Sequence, residues 1–117
     1  MSLPKPSGVY ELTLGEHISA DFELDFSALV VVEKVSMLQT LSNTFHFPDY
    51  FGLNWDAAFD CLLEVLDEHE KLDILVKLPV SANIDEDALA MLRQLMLDAI
   101  AMQPVNKQIR VFMINHG

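Results

Sequence analysis

Three short apolar runs, separated by stretches with helical periodicity, constrain the fold of this chain more than any other feature. Runs of this length that are rich in Val, Ile and Leu are typical of buried β-strands. Strands joined through helices by short connections favour right-handed crossovers and a parallel sheet. We therefore expect an α/β domain in which a small three-stranded parallel sheet packs with helices. The expected core strands are residues 28–32, 72–78 and 108–114.

Three helices are predicted between these strands. The first is short and covers about residues 36–43. The second begins after Asn54, a residue type that commonly caps helix N-termini, and ends near Asp67. The third covers about residues 85–102, and apolar residues recur on one of its faces. That predicted buried face comprises Leu89, Leu92, Leu95, Met96 and Ala99.

Residues 1–27 differ in character from the rest of the chain. Pro4 and Pro6 indicate an extended start. Two stretches, residues 9–14 and 21–26, then alternate apolar and polar side chains as short strands do. We interpret residues 1–27 as an N-terminal extension that packs on a domain formed by residues 28–117.

The charge balance and the single cysteine limit the classes of function. With 18 Asp and Glu against 7 Lys and Arg, the net charge of −11 disfavours direct binding to nucleic acid and favours fast association with basic partners. Solubility alone also explains an acidic surface. Cys61 has no partner for an intrachain disulfide, which is typical of a reducing compartment. No apolar run is long enough for a signal peptide or a membrane span, so we expect a cytoplasmic protein.

The chain lacks the common patterns of metal, phosphate and nucleophile chemistry. Its four histidines have no metal-ligand spacing with one another or with Cys61, and its four glycines are scattered. Cys61 falls beside the apolar face of the second helix without a basic neighbour, so it is interpreted as a small core residue. No cofactor, metal site or catalytic residue is predicted.

The second helix carries an apolar row and an acidic row of side chains. The apolar row comprises Trp55, Phe59, Leu62 and Leu66. The acidic row comprises Asp56, Asp60, Glu64 and Asp67. Like charges at this spacing destabilise a helix by about 0.2–0.5 kcal/mol per pair, so the row is either a solvated face or a binding surface. A glycosidase-like use of Asp56 and Asp60 is a further alternative, and it would need a cleft that holds both carboxylates.

The segment from Phe47 to Leu62 resembles the central segment of the barstar family of ribonuclease inhibitors. It reads Phe-Pro-Asp-Tyr-Phe-Gly-Leu-Asn-Trp-Asp-Ala-Ala-Phe-Asp-Cys-Leu. The loop, the N-cap and two acids four residues apart stand in the order of the family pattern, without a gap. The element order agrees from about residue 28 to residue 114, whereas residues 1–27 lie outside the resemblance. The resemblance implies a barstar-like fold and a protein that is not an enzyme.

The resemblance also implies how the acidic row is used. In the family, the loop and the second helix plug the active site of a nuclease. Asp60 would occupy the place of a substrate phosphate, Asp56 would lie beside it, and Tyr50 would provide an aromatic contact. Gly52 would let the loop backbone approach the partner, and Asn54 would fix the angle of the loop. The remaining partner-binding residues implied are Phe51, Phe59 and Asp98.

Three aromatic positions depart from the family pattern. Phe59 stands in place of a tryptophan, Phe51 in place of a tyrosine, and Trp55 in place of a leucine.

The implied function is intracellular inhibition of a basic ribonuclease or related toxin, in an immunity role. The departures and the segment 1–27 leave open an alternative, a barstar-like interaction module whose partner is not a nuclease.

Overall fold

The computed structural model describes residues 7–12, 19–48, 52–79 and 83–116. Within them, six strands and three helices follow one another along the chain. In order, they are β1 (Gly8–Leu12), β2 (Phe22–Asp25), β3 (Val31–Val32), α1 (Lys34–Phe45), α2 (Trp55–Asp67), β4 (Lys71–Pro79), β5 (Asn83–Ile84), α3 (Glu86–Ala101) and β6 (Gln108–His116). Four of these strands form the main sheet, and β3 and β5 form a separate small sheet.

The main sheet is parallel, with strand order β1-β6-β4-β2. Burial alternates along its central strand β4, where Leu72, Ile74, Val76 and Leu78 are buried. Ile109, Val111 and Met113 of β6 and the inward residues of all three helices belong to the same hydrophobic cluster. The helices therefore pack on one face of the sheet, and the core lies between the two layers.

The opposite face of the main sheet carries charged and aromatic side chains. Arg110 donates from Nε and Nη2 to the two carboxylate oxygens of Asp73, at 2.7 and 2.8 Å. The hydrogen bond to Asp73 raises the pKa of Arg110. The Arg110 guanidinium lies 5.6 Å from the centroid of the Phe112 ring, which stacks on Tyr10 at 5.7 Å. These contacts join β1, β6 and β4 across the face.

The α/β class, the parallel sheet and its packing with helices are confirmed, but the strands of the sheet differ from those expected. Four described strands form the main sheet where three were expected, and residues 28–32 contribute only β3, outside it. Val30 and Val31 are 82% and 44% exposed. A turn after β2 directs the chain away from the main sheet. In this turn, Ser27 donates two hydrogen bonds to Asp25, one from its backbone N at 2.9 Å and one from its hydroxyl. The chain thus leaves the main sheet before residue 28.

Two strands of the main sheet come from the segment 1–27. β1 pairs with β6, with Tyr10 opposite Phe112, and β2 pairs with β4, with Leu24 opposite Val76. β1 overlaps the first alternating stretch of the sequence, and β2 lies within the second. The described parts of this segment therefore form the two edges of the sheet. The division of the chain into an extension and a domain at residue 27 stays a prediction.

All three helices begin at a residue whose side chain takes part in capping. Asn54 Oδ1 accepts a hydrogen bond from the backbone N of Ala57 at 2.8 Å, so the predicted N-cap of α2 is present. Asp85 accepts in the same manner from the first turn of α3. α1 begins two residues earlier than predicted because Glu33 and Ser36 form a reciprocal capping box.

The predicted buried face of the third helix is confirmed. All five residues assigned to it are buried in the core cluster. The helix has 16 residues, and no helix in the described part of the chain is long and apolar enough to cross a membrane.

Lys107 connects the end of α2 to the loop that precedes β6. Its Nζ donates to the carbonyl oxygens of Leu66 and Asp67 at 3.0 and 3.2 Å. It also donates to Oε1 of Gln103 at 3.2 Å. The Leu66 carbonyl oxygen also accepts a hydrogen bond from the backbone N of His69 at 3.2 Å, so Lys107 adds a charged donor at this helix end. A cation here interacts favourably with the helix dipole.

We expect Lys107→Met to lower the free energy of unfolding by about 1–2 kcal/mol, because the last carbonyls of α2 lose this cation. Urea denaturation followed by circular dichroism measures the change. Lys71→Met is the matched control, since Lys71 is an exposed lysine at the start of β4. It should change the stability by less than about 0.5 kcal/mol. Equal effects of the two substitutions would show that net charge, and not capping, is responsible.

Candidate partner-binding site

The turn that leads into α2 has an unusual backbone. Gly52 and Leu53 both adopt left-handed conformations, with φ of 48° and 44°. Glycine enters this region freely, whereas an L-residue with a side chain pays about 1–2 kcal/mol. Asn54 then returns to an extended conformation and caps the helix. Tyr50 and Phe51, predicted for the preceding loop, lie outside the described residues.

A groove of about 430 Å³ runs between α2 and α3. Its α2 wall comprises Trp55, Asp56, Phe59 and Asp60. Its α3 wall comprises Met91, Gln94, Leu95 and Asp98. The structure thus brings together four of the residues predicted to bind a partner, which are Asp56, Phe59, Asp60 and Asp98. Asn54 and Gly52 precede the groove in the chain and do not line it.

Each wall of the groove combines an apolar pair and a polar pair, both at a spacing of four residues. The apolar pairs are Trp55 with Phe59 and Met91 with Leu95, and the polar pairs are Asp56 with Asp60 and Gln94 with Asp98. Leu95 is buried and Trp55 and Phe59 are half-buried, whereas Met91 and all the polar residues are exposed. The groove therefore has an apolar floor and acidic rims.

Within the part of the chain that the structure describes, no Lys, Arg or His lines the groove, so none of these places a positive charge beside the carboxylates at the rims. Gln94 Nε2 donates to Asp98 Oδ1 at 2.8 Å. Among the described residues, the ion pairs lie elsewhere and none involves Asp56 or Asp60. Close carboxylates without cations attract a cationic group from a partner.

Cys61 is buried and belongs to the core cluster. Burial is the main cause that raises the pKa of its thiol, followed by the negative charges of Glu64 and Asp60. The thiol therefore stays protonated near neutral pH, which agrees with the structural role predicted for it. Within the described ranges, no group of three or more His, Cys, Asp or Glu could hold a metal ion.

Sequence reasoning assigned Asp98 of α3 to partner binding but missed the other three residues of the α3 wall. Met91 and Gln94 received no role, and Leu95 was assigned only to the core. A signal was present, because residues 91, 94, 95 and 98 stand at i, i+3, i+4 and i+7 and so share one face of a helix. That signal becomes informative only once α3 is known to lie beside α2, as the Gln103 to Asp67 hydrogen bond at 3.3 Å also shows.

Comparison with protein-family models decides the family of the chain. Residues 20–114 match the model described as Barstar (barnase inhibitor). The chain belongs to the barstar family. This barstar match begins just before β2, ends within β6 and includes both walls of the groove, whereas β1 precedes it. Comparisons with curated proteins and with solved structures returned no significant match.

Proposed function

We propose that this chain inhibits a basic ribonuclease or related toxin by binding to it and blocking its active site, inside the cell that produces both. The observation that carries this proposal is the α2–α3 groove, whose rims hold Asp56, Asp60 and Asp98 without a basic side chain among the lining residues. The family description, barnase inhibitor, supports it.

The physical basis of inhibition is charge complementarity. A nuclease active site is basic because it binds phosphates, so carboxylates at the rims of the groove can occupy the places of those phosphates. The net charge of −11 adds long-range attraction and accelerates the encounter with a basic protein. Asp60 is proposed as the main contact, with Asp56 one helical turn away on the same wall and Asp98 on the α3 wall.

The other predicted residues have supporting roles in this proposal. Phe59 provides apolar contact in the groove, Gly52 allows the loop to approach the partner, and Asn54 fixes the start of α2. Tyr50 and Phe51 are proposed to extend the contact surface from the loop.

The groove also holds Asp56 and Asp60 together, which is the condition that the enzymatic alternative requires. The two carboxylates project from a single wall, one helical turn apart, whereas a glycosidase needs carboxyl groups that flank the bond to be cleaved. The family description of an inhibitor also favours binding over catalysis.

Titration of a small basic microbial ribonuclease with this protein is expected to give stoichiometric inhibition. The inhibition constant should rise between low and physiological salt, because ions screen the attraction between the two surfaces. Initial rates of RNA hydrolysis at both salt concentrations provide the measurement, and heat-denatured protein provides the control. An unchanged rate at both concentrations would contradict the proposal for this class of nuclease.

The second candidate is a barstar-like interaction module with a non-nuclease partner. The apolar floor of the groove, with Trp55 in place of the family leucine, favours it. A pull-down from the source cell, with the wild-type chain and with Asp60→Ala as baits, would distinguish the two candidate functions. A groove partner is captured only by the wild-type chain, and its assay for ribonuclease activity shows whether it is a nuclease.

A further inference from the structure

The apolar floor of the groove comprises Trp55, Phe59, Met91 and Leu95. Attraction between an acidic surface and a basic partner does not require these apolar side chains. We propose that this floor is a specificity subsite for one apolar side chain that the partner carries between two basic residues. This inference rests on the proposed function, because it concerns the chemistry of the partner surface that contacts the same groove.

The groove is accessible to a partner and is larger than a single charged group requires. The groove volume of about 430 Å³ lies within the range of about 300–1,000 Å³ that is typical of ligand pockets, so it exceeds what a single charged head group fills. Met91 has an apolar side chain but is 47% exposed, so a partner can reach it. A flexible methionine beside a half-buried tryptophan is well suited to enclose an apolar side chain of variable shape.

The rims determine what stands beside that apolar side chain. Carboxylates lie on both sides of the floor, with Asp56 and Asp60 on the α2 wall and Asp98 on the α3 wall. Gln94 donates to one oxygen of Asp98 and thereby holds this carboxylate at the rim. A segment with a basic residue on each side of an apolar one can therefore pair with both walls at once.

A partner that used only charge would leave the floor in contact with water at the centre of the interface. Burying Trp55, Phe59 and Met91 against an apolar side chain removes that surface from water and adds to affinity. Energetically important contacts cluster in such desolvated centres, surrounded by polar rims. The order of side chains expected in the partner is basic, apolar, basic.

Peptide binding to the full chain tests the subsite directly. The probes are the tripeptides Ac-Arg-Leu-Arg-NH₂, Ac-Arg-Ala-Arg-NH₂ and Ac-Glu-Leu-Glu-NH₂, titrated to millimolar concentration into protein labelled with ¹³C at the methionine methyl groups. We expect the first to shift the Met91 resonance saturably, with an affinity about tenfold higher than that of the second. The third should leave the resonance in place, and Met37, fully buried in α1, provides the reference signal. Equal affinities for the Leu and Ala peptides would overturn the proposal.

A second arm separates the subsite from the inhibitory function. Met91→Ala should weaken inhibition of the basic ribonuclease about tenfold, whereas Leu97→Ala should not, since Leu97 is an exposed α3 residue outside the groove. If the wild-type chain and Met91→Ala inhibited the ribonuclease equally well, the subsite would be rejected and the proposed function retained. Selective binding of the Leu peptide without inhibition of the nuclease would reject the proposed function and retain the subsite.

Discussion

Asp60→Ala is expected to weaken binding to the basic ribonuclease by about 2–5 kcal/mol, which corresponds to roughly 30-fold to several-thousand-fold in the dissociation constant. Asp60 lines the groove beside Phe59 and has no ion pair among the described residues. Its removal would leave a cationic group of the partner desolvated without a counter-charge. Isothermal titration calorimetry or inhibition kinetics measures the loss.

The same substitution should not harm the fold. Alanine is a better helix former than aspartate, and Asp60→Ala removes repulsion from Asp56 and Glu64, one turn away on each side. The free energy of unfolding should therefore stay equal or rise by about 0.5–1 kcal/mol. Glu64→Ala is the matched control, because it removes the same charge from the same helix outside the groove. If both variants lost affinity equally, net charge rather than the position of Asp60 would control binding.

Phe26→Ala is expected to lower the free energy of unfolding by about 3–5 kcal/mol, a large fraction of the stability of a small domain. Phe26 follows β2, has no exposed surface, and its backbone N donates to the carbonyl oxygen of Lys77 at 2.9 Å. Truncating the ring leaves a cavity between β2 and the helices. Urea denaturation followed by circular dichroism and by tryptophan fluorescence measures the loss.

This experiment also tests the division of the chain at residue 27. Val30→Ala is the control, since Val30 is 82% exposed and should cost less than about 0.5 kcal/mol. A cost for Phe26→Ala near that of the control would support an extension that folds apart from the core. A single cooperative transition with the full loss would place residues around Phe26 in the core itself.

The elements of the fold could largely be predicted from sequence, and the exception has a local cause. Periodicity and the capping residue located α2 and α3 to within a residue or two, and the apolar runs located β4 and β6. The run at residues 28–32 has the composition of a buried strand but lies outside the main sheet. The chain turns before this run, where Ser27 donates two hydrogen bonds to Asp25. In the sequence, the run of five apolar residues is a stronger signal for a strand than this short turn is for a change of direction.

The candidate site could be predicted for most of the α2 wall but for only one residue of the α3 wall. The acidic row of α2 repeats regularly along one helix, so Asp56 and Asp60 were visible as neighbours in the sequence. The α3 wall depends on the packing of two helices that are separated by 18 residues, 68–85, in the chain. The resemblance supplied Asp98, but Met91 and Gln94 follow only from the geometry of the groove.

The pairing of β1 with β6 has a consequence for the behaviour of the protein at high concentration. β6 has nine residues, and Val111 to Ile114 are buried. Without β1, its outer edge would present unpaired backbone groups along an apolar strand, which is a template for addition of strands from other molecules. β1 covers this edge at residues 110–114 and replaces it with a short strand that carries the exposed Glu11. We therefore expect β1 to limit aggregation, a role separate from any contact that the groove makes.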